Sequence, residues 1–296
     1  MDLCLGTVQF GMKYGISGQV QPTAEMAVDM LDYATQNGID TIDTANAYGT
    51  AEDVVGRFIR KKTVPRDRLC IISKFRPNLL DDVPQARYYD VMKNNLLESL
   101  KRLGVDYLDT YLLHSSRYVF NDEILEALYQ LKKEGYANKV GVSVYEAEEA
   151  KKCIEHPKVD FMQLPYSIFD QRMKNANIFE LVQGNVEIHS RSAFIQGLIL
   201  MDEQRVPDFL SKARPIVRKI DELCKIHNIS RISLAMNFVK QETNISHLVF
   251  GVDNIEQLKE NIRLFQQTLD GDIIRDISSK FYDIEADIVM PSLWKR

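Results

Sequence analysis

The sequence predicts an α/β protein of the (β/α)8 TIM-barrel class, with its active site at the C-terminal ends of the strands. Short β-branched runs alternate with amphipathic helices along the chain, and there are eight such runs. Polar, titratable residues stand at or just past the ends of three successive runs, where such barrels place their chemistry. The 296 residues, 45% of them hydrophobic, suffice for one barrel of about 250 residues. We therefore expect a single domain over residues 1–296.

Each predicted strand is three to six residues long and is followed by a helical pattern, which implies parallel strands with right-handed crossovers. The predicted strands are Leu3–Thr7, Thr41–Asp43, Cys70–Lys74, Leu108–Leu113, Val140–Ser143, Phe161–Leu164, Val186–Ser190 and His247–Phe250. An open doubly wound sheet is the main alternative. Such a sheet usually carries a glycine-rich phosphate turn after its first strand. The stretch GTVQFG (Gly6–Gly11) lacks that spacing, and we expect no helix directly after it.

Capping residues mark the ends of the predicted helices. Thr23 is a suitable N-cap for the first long helix and Gly38 a suitable end. Asn121 is a plausible N-cap for the helix that ends before Gly135. The polar stretch 201–215 carries two prolines and is predicted to be a long loop or a broken helix after strand seven.

Composition excludes several classes of function. The net charge is −5 and no long basic block exists, so a nucleic-acid partner is not expected. No signal peptide and no apolar run of about 18 residues is visible, so we expect a cytoplasmic protein without a membrane partner. The five histidines show no HxH or HExxH spacing, which leaves no predicted metal site. The sequence does not define an oligomeric state.

The cysteines are scattered along the chain and are predicted to be free thiols: Cys4, Cys70, Cys153 and Cys224.

Four candidate catalytic residues follow successive strands: Asp43, Tyr48, Lys74 and His114. A tyrosine hydroxyl has a pKa of roughly 10 and is a poor acid at neutral pH. A lysine beside it would stabilise the phenolate and lower that pKa, and an aspartate would hold the lysine. A neutral histidine could orient a carbonyl oxygen. Together these residues would donate a proton to a developing alkoxide.

Structural roles for the same residues compete with catalysis. Asp43 and Lys74 could form a buried structural ion pair, because an interior lysine is costly to desolvate without a partner. His114 could be a hydrogen-bonded core histidine, and Tyr48 an ordinary tyrosine on the barrel rim. The combination of all four residues favours the catalytic interpretation.

Longer motifs carry a resemblance to the aldo-keto reductase family, in the family's order from Leu3 to about Phe265. The motifs are GTVQFG (Gly6–Gly11), IDTANAYGTAE (Ile42–Glu52), SLKRLGVDYLDTYLLH (Ser99–His114), QLPY (Gln163–Tyr166), RSAFIQGLI (Arg191–Ile199) and QLKEN (Gln257–Asn261). The resemblance implies that Tyr48 is the general acid, that Lys74 and Asp43 tune it, and that His114 orients the substrate carbonyl.

The resemblance also implies a nicotinamide dinucleotide, usually NADP(H), bound without the Rossmann fingerprint. Ser143 and Gln163 would hold the carboxamide, although Val144 replaces the usual asparagine. Arg191 stands where an aromatic ring often stacks on the nicotinamide, and a guanidinium plane can also stack. The full implied cofactor set is Gly6, Thr7, Ser143, Gln163, Arg191, Ser192, Phe194, Gln196, Gly197, Gly251, Asp253, Gln257, Glu260 and Asn261.

The residue at position 253 departs from the family pattern. Many relatives carry Arg or Lys shortly after the glycine, whereas this chain has Asp253. A carboxylate there would repel a 2′-phosphate and could accept a hydrogen bond from a ribose 2′-hydroxyl. NADP(H) and NAD(H) therefore both remain possible cofactors at this stage.

The predicted substrate is a small-molecule carbonyl compound. The loops after the strands offer Gln9, Phe10, Tyr14 and Asn46, and the chain's only tryptophan, Trp294, would either add an aromatic wall or pack outside the barrel. The polar run Ser115–Tyr118 favours a hydroxylated substrate. The motifs resemble bacterial members linked to sugar or polysaccharide metabolism, which implies a sugar or nucleotide-sugar carbonyl. The alternatives are a non-catalytic regulatory subunit that binds dinucleotide, and a lyase or isomerase that uses the Tyr–Lys pair without net redox change.

Overall fold

Eight parallel strands close into a barrel in chain order, which confirms the predicted fold class. The computed structural model describes residues 1–16 and 20–295. The strands are β1 Asp2–Gly6, β2 Thr41–Asp43, β3 Cys70–Phe75, β4 Leu108–Leu113, β5 Ala137–Ser143, β6 Phe161–Pro165, β7 Glu187–Arg191 and β8 His247–Phe250. Strand β5 begins three residues before its predicted start, at Ala137 rather than Val140.

Helices connect the strands and surround the barrel. They are α1 Val8–Gly11, α2 Ala24–Gln36, α3 Ala51–Lys61, α4 Tyr88–Leu103, α5 Asp122–Lys133, α6 Ala147–Glu155, α7 Arg172–Asn175, α8 Ile178–Leu181, α9 Arg214–Ile226, α10 Arg231–Lys240, α11 Ile255–Gln266, α12 Gly271–Ser278 and α13 Ala286–Val289. The predicted N-caps are confirmed: Thr23 accepts a hydrogen bond from the Met26 backbone, and Asn121 accepts one from Ile124.

The first turn contains a short helix that the sequence pattern does not indicate. The single-turn helix α1 follows β1 directly and lies within GTVQFG. Four residues span about one turn, which is too short for a helical repeat of apolar residues to show.

The broken helix predicted over residues 201–215 is confirmed as the short 3-10 helices Glu203–Arg205 and Asp208–Ala213, followed by α9.

The side-chain alternation of the strands decides which residues face the barrel interior. Ile72, Leu112 and Phe161 form an apolar cluster separate from the core that lies between the barrel and its helices. Lys74 lies two residues after Ile72, and His114 two residues after Leu112, so both share the inward parity of their strands. The interior is therefore apolar in its middle and polar at its C-terminal end.

Within the described residues, no helix is both long and apolar enough to cross a membrane. The four cysteines are free thiols, and three of them are buried.

Candidate active site

A cavity of about 910 Å³ opens at the C-terminal end of the barrel. Its walls include Asp43, Tyr48 and His114, together with all fourteen residues of the cofactor set implied by the sequence. Lys74 is fully buried beneath the cavity floor, beside Asp43. The structure thus gathers residues that are up to about 250 positions apart in the chain at one site.

Asp43 and Lys74 form a buried ion pair at the floor of the cavity. The Lys74 ammonium donates to both carboxylate oxygens of Asp43, at 2.6 and 2.8 Å, and to the Thr44 carbonyl oxygen at 2.9 Å. All three ammonium protons therefore have acceptors. Gln163 Nε2 donates to Asp43 Oδ2 at 2.8 Å, so the carboxylate also holds a residue of the implied cofactor site.

The loop carrying Tyr48 is fixed by close packing of two glycines. A Cβ on Gly11 would lie 1.8 Å from the Tyr48 carbonyl oxygen, and one on Gly49 would lie 2.3 Å from the Gly11 carbonyl oxygen. Gly49 also has φ of +56°, which favours glycine. The Thr50 backbone N–H donates to the Gly11 oxygen at 3.3 Å. Helix α1 thus serves as the support for the tyrosine loop.

Tyr48 lies edge-on to His114, with ring centroids 5.6 Å apart and planes at 84°. The Lys74 Nζ atom is 5.1 Å from the Tyr48 ring centroid. Burial, with the positive charges of Lys74 and Arg191, lowers the pKa of His114 to about 3. The imidazole is therefore neutral near pH 7, as predicted, and its Nδ1 atom is buried without a partner among the described residues.

The pKa of Tyr48 does not follow the sequence expectation. Burial and the Asp43 carboxylate raise the pKa of the Tyr48 hydroxyl above its usual value, and the positive charge of Arg191 acts in the opposite direction. The expected lowering by Lys74 fails because the Asp43 carboxylate neutralises the ammonium at 2.6 Å. Tyr48 therefore stays fully protonated at neutral pH, which is the form that a proton donor requires.

Arg191 closes β7 and projects into the cavity wall. Its Nη2 donates to the Val144 carbonyl oxygen at 2.9 Å and its Nη1 to the Ser192 hydroxyl at 3.2 Å. The guanidinium carbon lies 4.2 Å from the ring centroid of Tyr145, in a cation–π contact. No carboxylate forms an ion pair with Arg191 among the described residues.

The loop after Arg191 has an unusual backbone. Ser192, Ile195, Gln196 and Gly197 all have positive φ, between 47° and 97°. A β-branched residue such as Ile195 is a genuine outlier in that region. The Ile16 backbone N–H donates to the Gln196 carbonyl oxygen at 3.3 Å, which ties this loop to the segment after α1. Strained backbone of this kind is typical of ligand-binding loops.

The far end of the cavity is formed by the start of α11. Asn254 is its N-cap and accepts a hydrogen bond from the Gln257 backbone at 2.9 Å. The Asp253 backbone N–H donates to Gln257 Oε1 at 2.8 Å, and burial raises the pKa of the Asp253 carboxyl. Glu260 lines the cavity, but Arg263 engages both of its carboxylate oxygens, at 2.7 and 2.9 Å.

Comparison with known proteins agrees with this geometry. The model of the Aldo/keto reductase family matches residues 2–281. The chain belongs to this family. Its relatives include the NADH-specific methylglyoxal reductase of Escherichia coli, at 24% identity over 86% of this chain and 88% of that protein. Another is the D-arabinose 1-dehydrogenase of Saccharomyces cerevisiae, at 26% identity over 81% and 76% of the two chains.

Solved structures of the family share the fold of this reductase-like chain. The holo form of an aldo-keto reductase from Bacillus halodurans superimposes with a TM-score of 0.76, at 21% identity over 97% of this chain and 94% of that one. A thermostable aldo-keto reductase bound to the inhibitor epalrestat gives a TM-score of 0.71 over 94% of each chain, at 24% identity. At these identities the likeness concerns the barrel fold itself.

This member of the family has cavity residues that the sequence did not single out for the cofactor. They share a place on the cavity wall but carry no recognisable motif: Tyr145, Asp202, Arg205, Ile232, Glu256, Pro291 and Ser292. Gln9 and Tyr14 line the cavity as expected for substrate contacts. Phe10 and Asn46 are buried and are not part of the wall within the described residues.

The polar run after His114 supports a neighbouring loop and does not form the cavity wall described here. The Ser115 hydroxyl and Arg117 bind Asn78, and the Tyr118 hydroxyl donates to Asp81 at 2.6 Å. This polar run therefore gives no support for a hydroxylated substrate. Trp294 is also buried, and its Nε1 donates to the Ile288 carbonyl oxygen at 3.1 Å. The residues of the C-terminal segment that line the cavity are its neighbours Pro291 and Ser292.

The residues of the cavity fit the nicotinamide dinucleotide that the family implies. Two buried polar atoms in its walls, Gln9 Oε1 and His114 Nδ1, lack partners among the described residues, which is typical of a site made for a ligand. A Cβ on Gly251 would collide with the Gln9 side chain at 2.3 Å, so glycine there keeps that wall open. The volume is at the upper end of the usual range for ligand pockets of about 300–1,000 Å³.

A second polar cluster lies at the opposite, N-terminal end of the barrel. His189 Nε2 is 3.1 Å from Glu187 Oε1, and the His189 and His247 rings lie 4.2 Å apart. Their potential ligand atoms all fall within 4.8 Å of one another. However, Lys139 binds the other Glu187 oxygen, and hydroxyl groups contact both nitrogens of His247. The cluster is therefore a hydrogen-bonded, charge-balanced network, and sequence spacing could not reveal it.

Proposed function

We propose that this protein is an NADH-preferring reductase of aldehydes or ketones in which Tyr48 donates the proton. The observation that carries the proposal is the juxtaposition of a protonated Tyr48, a neutral His114 and the buried Asp43–Lys74 pair at the inner end of a cavity that fits a dinucleotide. A protonated tyrosine hydroxyl and a neutral imidazole on neighbouring rings can hold a single carbonyl oxygen between them.

Each residue has a role that follows from its geometry. A dinucleotide, when bound, supplies the hydride for the carbonyl carbon. The neutral His114 orients the carbonyl oxygen, and the Tyr48 hydroxyl gives its proton to that oxygen as negative charge develops. Asp43 holds the Lys74 ammonium beneath the tyrosine ring, so the pair shapes the floor of the site without lowering the pKa of Tyr48. Arg191 favours the phenolate through its charge.

The charges at the far end of the cavity support NADH over NADPH. Asp253 and Glu256 stand on either side of Asn254, the N-cap of α11, and both line the cavity. A 2′-phosphate would add negative charge beside these carboxylates. The half-buried Asp253 has no basic partner among the described residues and could instead accept a hydrogen bond from a ribose hydroxyl.

The proposed substrate is a small aldehyde, including the open-chain form of a sugar. Two relatives support this class of substrate by their names: one is a methylglyoxal reductase and the other is a D-arabinose 1-dehydrogenase. A small neutral carbonyl compound also agrees with a catalytic end whose tyrosine and histidine are uncharged.

Titrations of NADH and NADPH, followed by nicotinamide fluorescence, test the cofactor proposal. We expect NADH to bind at least about tenfold more tightly, and Asp253→Arg to reverse or abolish that preference. Gln266→Arg is the control, because Gln266 is exposed at the other end of α11, does not line the cavity and should change the preference less. Equal affinities that Asp253→Arg leaves unchanged would contradict the proposal.

Binding of NADH without turnover of any carbonyl compound would favour a regulatory subunit. Turnover without a change in cofactor absorbance would favour a lyase or isomerase.

A further inference from the structure

The catalytic end of the cavity carries one positive charge that no carboxylate neutralises in the part of the chain that the structure describes. The Lys74 ammonium is balanced by Asp43 at 2.6 Å, and Tyr48 and His114 are neutral. Among residues 1–16 and 20–295, the groups that contact Arg191 are a carbonyl oxygen, a hydroxyl and an aromatic face, and none of these carries a formal charge. The unbalanced guanidinium is therefore the dominant local charge for anything bound beside Tyr48.

The field of Arg191 reaches the two residues that would hold the carbonyl oxygen. Its charge lowers the pKa of His114 and opposes the increase in the pKa of Tyr48. Hydride transfer requires reacting atoms about 3–3.5 Å apart. A nicotinamide ring that reacts with a carbonyl held by these residues must therefore lie within the same field.

The two redox states of the nicotinamide respond differently to a positive charge. On reduction, the carbonyl carbon gains a hydride and its oxygen gains the Tyr48 proton, which yields an alcohol. The ring left behind is oxidised and cationic, whereas the reduced ring is neutral. Like charges in a partly desolvated cavity repel far more strongly than in water.

We propose that Arg191 makes this site discriminate between the redox states of its cofactor, so that it binds NADH more tightly than NAD⁺. This inference rests on the proposed function. During the chemical step the transient Tyr48 phenolate offsets the new charge on the ring. Once Tyr48 has been reprotonated, only the repulsion from Arg191 remains, and the oxidised cofactor leaves more easily.

A stacking role for Arg191 without discrimination is the competing interpretation. The Tyr145 ring covers one face of the guanidinium, and a plane of this kind can also stack on a nicotinamide. Dispersion contacts of that type would strengthen the binding of both redox states together. Charge alone, in contrast, separates them.

The experiment compares dissociation constants for NADH and NAD⁺ at one salt concentration, with NADH measured by fluorescence and NAD⁺ by displacement of NADH. For the wild type we expect Kd for NAD⁺ to exceed Kd for NADH by about tenfold or more. Arg191→Gln should reduce that ratio at least about fivefold, whereas Arg191→Lys, which keeps the charge, should largely preserve it. Arg205→Gln is the matched control: this exposed cavity arginine should leave the ratio within about twofold.

Several outcomes would overturn the inference. They are an unchanged ratio in Arg191→Gln, or an equal loss of the ratio in Arg191→Gln and Arg191→Lys. Arg191→Met serves as a second neutral variant if the melting temperature shows that Arg191→Gln is misfolded. A wild-type protein that does not bind NADH would refute the proposed function itself, and that result is distinct from NADH binding with an unaltered ratio.

Discussion

The buried Asp43–Lys74 pair allows a quantitative prediction about stability. Both side chains are almost completely buried, and Lys74 has no exposed surface. Lys74→Met removes the ammonium and leaves Asp43 with Gln163 Nε2 as its remaining side-chain donor. The Asp43 carboxylate then lies buried without its counter-ion.

Breaking a buried pair from one side typically costs about 3–5 kcal/mol. For a chain of this size, each kcal/mol lowers the melting temperature by about 2–4 °C, so we expect Lys74→Met to melt roughly 6–20 °C below the wild type. The double variant Asp43→Asn/Lys74→Met removes both charges, so its loss of stability should be smaller than the sum of the losses of the two single variants. A coupling of about 1–3 kcal/mol between the two positions is expected from such a cycle.

Urea denaturation and thermal melts of the wild type, both single variants and the double variant measure this coupling. Lys132→Met is the matched control, because Lys132 binds both oxygens of Asp160 at 2.7 Å but is partly exposed. That change should cost less than about 1 kcal/mol. The reasoning fails if Lys74→Met is no less stable than Lys132→Met, or if the two charge-removing substitutions add without coupling.

Two further predictions concern other parts of the barrel. Gly11→Ala places a methyl group 1.8 Å from the Tyr48 backbone oxygen and should lower kcat/KM about 10- to 100-fold while the Kd for NADH changes little. Gly271→Ala is the control, because its methyl group would meet the ends of the Gln241 and Arg275 side chains at 3.2 and 3.4 Å and its φ is not positive. Equal kinetics for the two variants would refute this prediction. Burial and the neighbouring His189 lower the pKa of His247 to about 4, whereas an unfolded histidine has a pKa of about 6.5. Between these two pH values the unfolded state binds more protons than the folded state. The free energy of unfolding should therefore fall as the pH drops from about 6.5 towards 4. His247→Gln should flatten this dependence in denaturation curves taken across that window, and an unchanged slope would exclude His247 as a source.

Local sequence features predicted most of the architecture. Strands such as Thr41–Asp43 and Cys70–Phe75 show β-branched runs, and Thr23 and Asn121 mark helix starts by their capping chemistry. The start of β5 was missed because Asn138 and Lys139 are polar and exposed. Their place in the barrel comes from pairing with β4, which is a tertiary property.

Contacts between distant positions limited the prediction of the site. The inward position of Lys74 follows from the alternation along its strand. The pKa of Tyr48 does not, because burial and the Asp43 carboxylate raise it while Asp43 also compensates the charge of Lys74. The polar run after His114 was assigned to the substrate, although its partners are Asn78 and Asp81 on a neighbouring loop. Sequence alone does not show which of two adjacent loops a polar side chain will support.

The role of Tyr48 as proton donor is the central claim, and Tyr48→Phe tests it most directly. The variant keeps the ring beside His114 and removes only the hydroxyl. With NADH and methylglyoxal, we predict that kcat/KM falls about 10²- to 10⁴-fold, the range for loss of a general acid. The Kd for NADH, measured on the same samples, should stay within about twofold of the wild-type value. Turnover that survives in Tyr48→Phe at near wild-type rates would contradict the mechanism.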